Sequence, residues 1–208
     1  MGTPFSVDGD PAVRGRLHDA AGPDALVLTH GAGSNHRTPF LAAIARAFAA
    51  DGVSVLRCDL PFRQARASGP PSPAGAARDR LGLAAALHAL PAAGRRFVGG
   101  HSYGGRQASM LVAECEGVAH GLLLLSYPLH PPGKPERART AHLSDIRVPT
   151  LFVHGERDPF GSAEEIEAAR ARVAAPTALM IVPRAAHALP ADAATAADIA
   201  ARFLRLFA

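Results

Sequence analysis

The sequence predicts an α/β fold: a mostly parallel, doubly wound sheet with helices on both faces. Two observations carry that expectation. Short runs of branched apolar residues alternate with alanine-rich runs along the 208 residues. The apolar runs are continuous and do not alternate with polar residues, which is the pattern of strands buried on both faces. The composition agrees, with 48% hydrophobic and 19% charged residues, so the 18 prolines mark connections and not disorder. No repeat or composition break divides the chain, and a single domain over residues 1–208 is expected.

The elements follow in order. Residues 12–18 fit an antiparallel edge strand, and residues 25–30 (ALVLTH) a buried strand. Residues 38–50 (TPFLAAIARAFAA) read as a helix, with Thr38 as cap, Pro39 in the first turn and Gly52 beyond the end. Residues 53–58 (VSVLRC) form the next strand, and a Pro/Gly/Ser-rich loop covers residues 59–73. A long helix over residues 74–90 carries a weak point at Gly82. Strand 96–99 leads into helix 103–115, and strand 121–126 (GLLLLS) into a proline-rich connection. Strand 150–154 precedes helix 162–174, whose Ser162 and Glu165 have capping-box spacing. Strand 178–182 and helix 195–207 close the chain.

Several function classes are disfavoured. The net charge of +4 comes from scattered arginines without interleaved aromatics, so no nucleic-acid partner is expected. No apolar run is long enough to span a bilayer, and MGTPFSVDGD lacks the basic start and apolar stretch of a signal peptide, so a cytoplasmic protein without a membrane partner is expected. The Met-Gly-x-x-x-Ser start matches a lipidation pattern too short to outweigh chance. Cys58 and Cys115 are expected as free, buried thiols. Ten histidines show no H-E-x-x-H spacing and no cysteine pair joins them, so neither metal nor cofactor is expected.

In a parallel sheet the ligand site lies at the carboxyl ends of the strands. There the chain places four glycines around Ser102: VGGHSYGG. Gly100-His101-Ser102-Tyr103-Gly104 matches G-x-S-x-G between a strand and a helix. Small residues at such a turn let strand and helix backbones approach, and the turn presents the hydroxyl at a helix N-terminus, where negative charge is favoured. A phosphate loop would end in Gly-Lys-Ser/Thr, which is absent. A serine nucleophile needs a base oriented by an acid, here in the order Ser, acid, His. Asp158 is the chosen acid, with Glu156 the alternative; His187 is the only histidine beyond the last strand. For the oxyanion, the backbone N–H of Tyr103 and one from the loop HGAGSN are expected, Ala32 first and Gly33 second.

The motifs LTHGAGSNH, GGHSYGGR and HGERDPFG together with the late His187 resemble the α/β-hydrolase fold family over nearly the whole chain. Within it the chain is similar to small, lid-less hydrolases related to dienelactone hydrolases, a branch that also includes testis-expressed-30-like proteins. The resemblance implies an eight-stranded core, often trimmed in small members, and puts Ser102, Asp158 and His187 at the triad positions. Dienelactone hydrolases use a cysteine nucleophile where this chain has Ser102, so their substrate is not carried over. The connection of about 20 residues between strands 121–126 and 150–154 is too short for a lid domain, which implies an open site for small esters. Tyr127, His130 and Phe160 are candidates for the pocket wall, and Arg63 for pairing with a substrate carboxylate, with an ion pair to Asp59 as its structural alternative. The expected function is a serine hydrolase of small carboxylic esters or thioesters. Acyl transfer by the same residues, or a non-catalytic interaction module on the same fold, are the alternatives.

Overall fold

The structure, a computed structural model, describes residues 2–208. Met1, the first residue of the lipidation pattern and of the expected domain, lies outside them. Eight strands form one sheet: β1 (Thr3–Val7), β2 (Val13–His18), β3 (Ala25–Thr29), β4 (Ser54–Cys58), β5 (Arg96–His101), β6 (Gly121–Leu125), β7 (Thr150–Gly155) and β8 (Thr177–Val182). Their order is β1-β2-β4-β3-β5-β6-β7-β8; β1 and β2 run antiparallel to their neighbours, and the remaining pairings are parallel. The helices are α1 (Pro39–Ala50), α2 (Pro61–Ala65), α3 (Ala76–Ala89), α4 (Tyr103–Glu114), α5 (Ala163–Arg170) and α6 (Ala193–Leu204).

The side-chain period of a strand sends successive residues to opposite faces. In β3, Ala25 and Val27 pack with Leu83 of α3, Leu111 of α4 and Ile166 of α5. Leu26 and Leu28 pack on the other face with Ile44 and Phe48 of α1 and Phe203 of α6. Phe203 meets the rings of Phe48 and Phe97 edge-on, at 5.6 and 5.1 Å between centroids. All residues of β3 and β6 are buried, which is why both read as unbroken apolar runs.

Five expectations are corrected. The antiparallel strand at Val13–His18 is not the edge, because β1 pairs outside it; β1 is mostly exposed and so leaves no apolar signature. Helix α2 occupies part of the expected loop at residues 59–73. Thr38 sits at the cap position of α1 but its side chain makes no cap hydrogen bond. Helix α5 has the full Ser162–Glu165 capping box but ends at Arg170, short of residue 174. Cys58 is buried, with its thiol pushed up to about 12 by burial, whereas Cys115 is exposed just past the end of α4.

The connection from β6 to β7 (residues 126–149) contains only two 3-10 turns, Pro135–Arg137 and Leu143–Asp145, and no lid. No helix among the described residues is long and apolar enough to cross a membrane.

Candidate active site

Ser102 stands between β5 and α4 with φ 51° and ψ −117°, a conformation an L-residue adopts at a cost of about 1–3 kcal/mol. Two backbone hydrogen bonds hold it there. Its N–H donates to Leu125 O at 2.8 Å, and its carbonyl accepts from Arg106 N at 3.0 Å. The flanking glycines are required by space. A β-carbon on Gly104 would stand 2.5 Å from His30 O, and one on Gly100 would stand 2.8 Å from the backbone of Gly104.

The β7 and β8 ends bring two more groups to the serine. His187 Nε2 lies 2.8 Å from Ser102 Oγ. On the other side of the ring, Nδ1 lies 2.8 and 3.1 Å from the two carboxylate oxygens of Asp158. Asp158 is buried, and its Oδ1 also accepts from Phe160 N at 2.9 Å. A carboxylate accepts only, so Nδ1 carries the proton and Nε2 is left to accept from the serine hydroxyl. The Phe160 ring packs on the His187 ring, 4.3 Å between centroids. Glu156, the alternative acid, is exposed and accepts from Arg184 N at 2.6 Å, bracing the His187 loop from outside.

The loop after β3 faces the serine. His30 is fully buried, donates through Nδ1–H to Gly31 O at 2.8 Å and accepts from Leu60 N at 3.2 Å, a pattern that needs the neutral ring. Burial lowers its titration, which agrees. Among the described residues no backbone acceptor engages the N–H groups of Ala32 and Gly33. Tyr103 opens α4, so its N–H has no partner within the helix. Ala32, Ser102 and Tyr103 line one cavity of about 580 Å³; Gly33 lies outside it and is exposed.

A match over most of the chain decides the family. The strand order, the strained serine turn and the Ser102–His187–Asp158 line accompany a match to the family model described as alpha/beta hydrolase domain, over residues 23–203. The chain belongs to the α/β-hydrolase family. Solved structures agree in fold. A dienelactone hydrolase from Anabaena variabilis is 23% identical with a TM-score of 0.77, covering 99% of this chain and 97% of that one. Est1E from Butyrivibrio proteoclasticus is 16% identical with a TM-score of 0.75, covering 100% and 99%. A lid-less α/β serine hydrolase from Xanthomonas campestris is 16% identical with a TM-score of 0.71, covering 99% and 94%. This α/β hydrolase shares the lid-less architecture and keeps all eight strands, untrimmed despite its length.

Three of the residues expected to meet the substrate, Arg63, Tyr127 and His130, are absent from this cavity's lining. Arg63 of this hydrolase is buried and donates to Ser34 O, Ala32 O, Gly69 O and Arg66 O, so its guanidinium is engaged by backbone and not offered to a ligand. Among the described residues it pairs with no carboxylate, Asp59 included, and instead it ties the Ala32 loop to the loop at residues 66–70. Tyr127 is buried, and its hydroxyl donates to Arg139 O at 2.6 Å. His130 is buried beside Glu165, 3.2 Å from Nε2. In their place Pro128 and Arg139 line the cavity, together with Phe160. The sequence reading missed Arg106 and Met110, although they lie four and eight residues past Ser102, the spacing of one helix face. It also missed Asp79, fully buried in α3, which accepts from Tyr103 Oη at 2.7 Å and Phe62 N at 3.0 Å.

Proposed function

We propose that this protein is a serine hydrolase that cleaves small carboxylic esters or thioesters through an acyl-enzyme. The observation that carries the reading is the continuous hydrogen-bonded line Ser102–His187–Asp158 opening on a cavity. Ser102 Oγ attacks the substrate carbonyl while His187 Nε2 takes its proton. Asp158 holds the ring in the Nδ1–H tautomer and stabilises the imidazolium. The N–H groups of Tyr103 and Ala32 receive the developing oxyanion, with Gly33 the second choice for the loop donor. His187 then gives the proton to the leaving alcohol or thiol. Water, activated by the same ring, cleaves the acyl-enzyme and restores the serine.

The absence of a lid supports a small, water-accessible ester as substrate over a long lipid chain. The reading uses one catalytic domain, no metal or cofactor and no nucleic-acid or membrane partner, in the cytoplasm. Stopped-flow release of nitrophenol from 4-nitrophenyl acetate tests it. The reading expects turnover in the wild type and a loss of about 10⁴-fold or more in Ser102→Ala. Turnover that survives this substitution refutes it.

A further inference from the structure

The cavity in front of Ser102 has an apolar wall that includes Pro70, Pro71, Met110, Pro128 and Phe160. Two guanidinium groups, Arg106 and Arg139, interrupt it. Their partners are unusual. The arginine–carboxylate pairs among the described residues belong to Arg14, Arg78, Arg80, Arg95, Arg170 and Arg202. Among the described residues the Arg106 side chain makes no hydrogen bond, and its Nε is buried without a partner. Arg139 makes one, from Nη1 to Pro128 O at 2.8 Å. Its backbone is pinned, with N donating to Leu129 O and O accepting from Tyr127 Oη. Leaving two like charges together in a half-buried apolar wall is costly unless an anion joins them. The field of Arg106 is felt around it: after burial, it is the next influence on Arg139, Tyr127 and His142, and it opposes protonation of each.

Position gives the distance. Arg106 N donates to Ser102 O, so the two residues are one helical turn apart, with β-carbons about 5–6 Å from each other. An anion held by Arg106 therefore lies a few bonds from the carbonyl that Ser102 attacks. The leaving group must meet His187 Nε2 to be protonated. A second cavity of about 180 Å³, bordered by Phe40, His101, Ala188 and Leu189, lies on the side of the residues that follow His187 and has no charged lining. The charged cavity is thus left for the acyl half.

We propose that Arg106 and Arg139 form an anion subsite, and that the preferred substrates are monoesters or monothioesters of short dicarboxylic acids. The inference rests on the serine-hydrolase reading. The free carboxylate of the acyl group takes the Arg106 fork, with Arg139 alongside. Water supplies the oxygen, and the products are the dicarboxylate and a neutral alcohol or thiol.

Two measurements test it. In a pH-stat, kcat/KM for monoethyl glutarate is compared with that for ethyl valerate, which has an acyl chain of the same length without the charge. The wild type prefers the acidic ester, and the ratio falls about ten- to a hundredfold in Arg106→Gln and in Arg139→Gln, the loss of a charge-assisted hydrogen bond. Arg106→Lys, which keeps the charge but not the fork, falls between. A wild-type ratio near one, or a ratio unmoved by both glutamine variants, overturns the subsite. Calorimetry on Ser102→Ala separates the two readings because it needs no reactive serine. Glutarate binding tighter than valerate, and weakened by Arg106→Gln, supports the subsite even if the wild type cleaves no ester. Equal binding of the two acids overturns it whatever the esterase assay gives.

Discussion

His101 Nε2 lies 3.0 Å from the carbonyl oxygen of His187, across 86 residues of sequence. A carbonyl only accepts, so the ring donates, and the residue before Ser102 ties down the backbone of His187, the proposed base. Its other face lies against the Ala32 loop: a β-carbon on Gly31 would stand 3.0 Å from His101 Nδ1. Burial lowers the titration of this ring, consistent with a neutral donor. His101 thus acts through His187. The expected result for His101→Phe is a fall in kcat of about ten- to a hundredfold with KM little changed, because a base misplaced by a fraction of an ångström loses positioning and not ground-state binding. His101→Gln, which keeps a donor, recovers part of it. Equal kcat in Phe and Gln variants contradicts the role.

Arg63 holds two loops at once. Its Nη2 donates to Ala32 O at 2.8 Å and to Gly69 O at 3.0 Å, and its Nε to Ser34 O at 2.9 Å. Removing the side chain leaves these carbonyls without the donor and frees the loop that carries the proposed oxyanion donor. Arg63→Ala is expected to lower stability by about 2 kcal/mol and to lower kcat on neutral and acidic esters alike. Urea unfolding and paired ester assays check both. A selective loss on acidic esters would return Arg63 to substrate recognition.

Gly104 has no room for a methyl group, since its β-carbon would meet His30 O and Thr29 Cγ2 at 2.5 and 2.6 Å. Gly104→Ala is expected to cost about 1–3 kcal/mol by overpacking and to displace Ser102. Denaturant midpoints and esterase assays should fall together. A fully active, equally stable variant would show that the turn is not so tight.

Acid stability follows from buried and half-buried neutral histidines. His18 and His142 are pushed down to about 4, by burial first, and His30, His101 and His154 are lowered for the same first reason. Arg57 Nε donates to His18 Nε2 at 3.1 Å, which requires an unprotonated nitrogen. In the unfolded chain these rings take up protons near 6.5, so between that pH and about 4 the unfolded state binds more protons than the folded one. The stability they confer is therefore fully present above about pH 6.5 and declines as pH falls toward 4. Thermal melts from pH 8 to 4.5 should show Tm dropping below pH 6.5, and His142→Gln should flatten the drop. A Tm constant or rising over that range contradicts the assignment.

How much of this was legible in the sequence depended on how local each signal is. The serine turn could be read because its constraint lies in five consecutive residues. Asp158 and His187 could be read because each follows a strand in a fixed order. The pocket wall could not, because the chain after β6 turns back on itself. Tyr127 is drawn inward, its hydroxyl donating to the Arg139 carbonyl, and Pro128 and Arg139 line the cavity in its place. Arg63 looked like a ligand group because sequence shows a charge but not the carbonyls it meets. Arg106 and Met110 were within reach of simple helical counting from Ser102. Strand β1 left no trace because edge pairing with β2 holds it, and its mostly exposed residues present no apolar face.

The proposed reaction requires Ser102 to be an activated nucleophile. Intact mass spectrometry after treatment with a fluorophosphonate tests it most directly, on the wild type, Ser102→Ala and His187→Ala. A single adduct on the wild type, absent from both variants, is the predicted result. A folded wild type that takes no adduct, or an adduct that persists in Ser102→Ala, would contradict the claim.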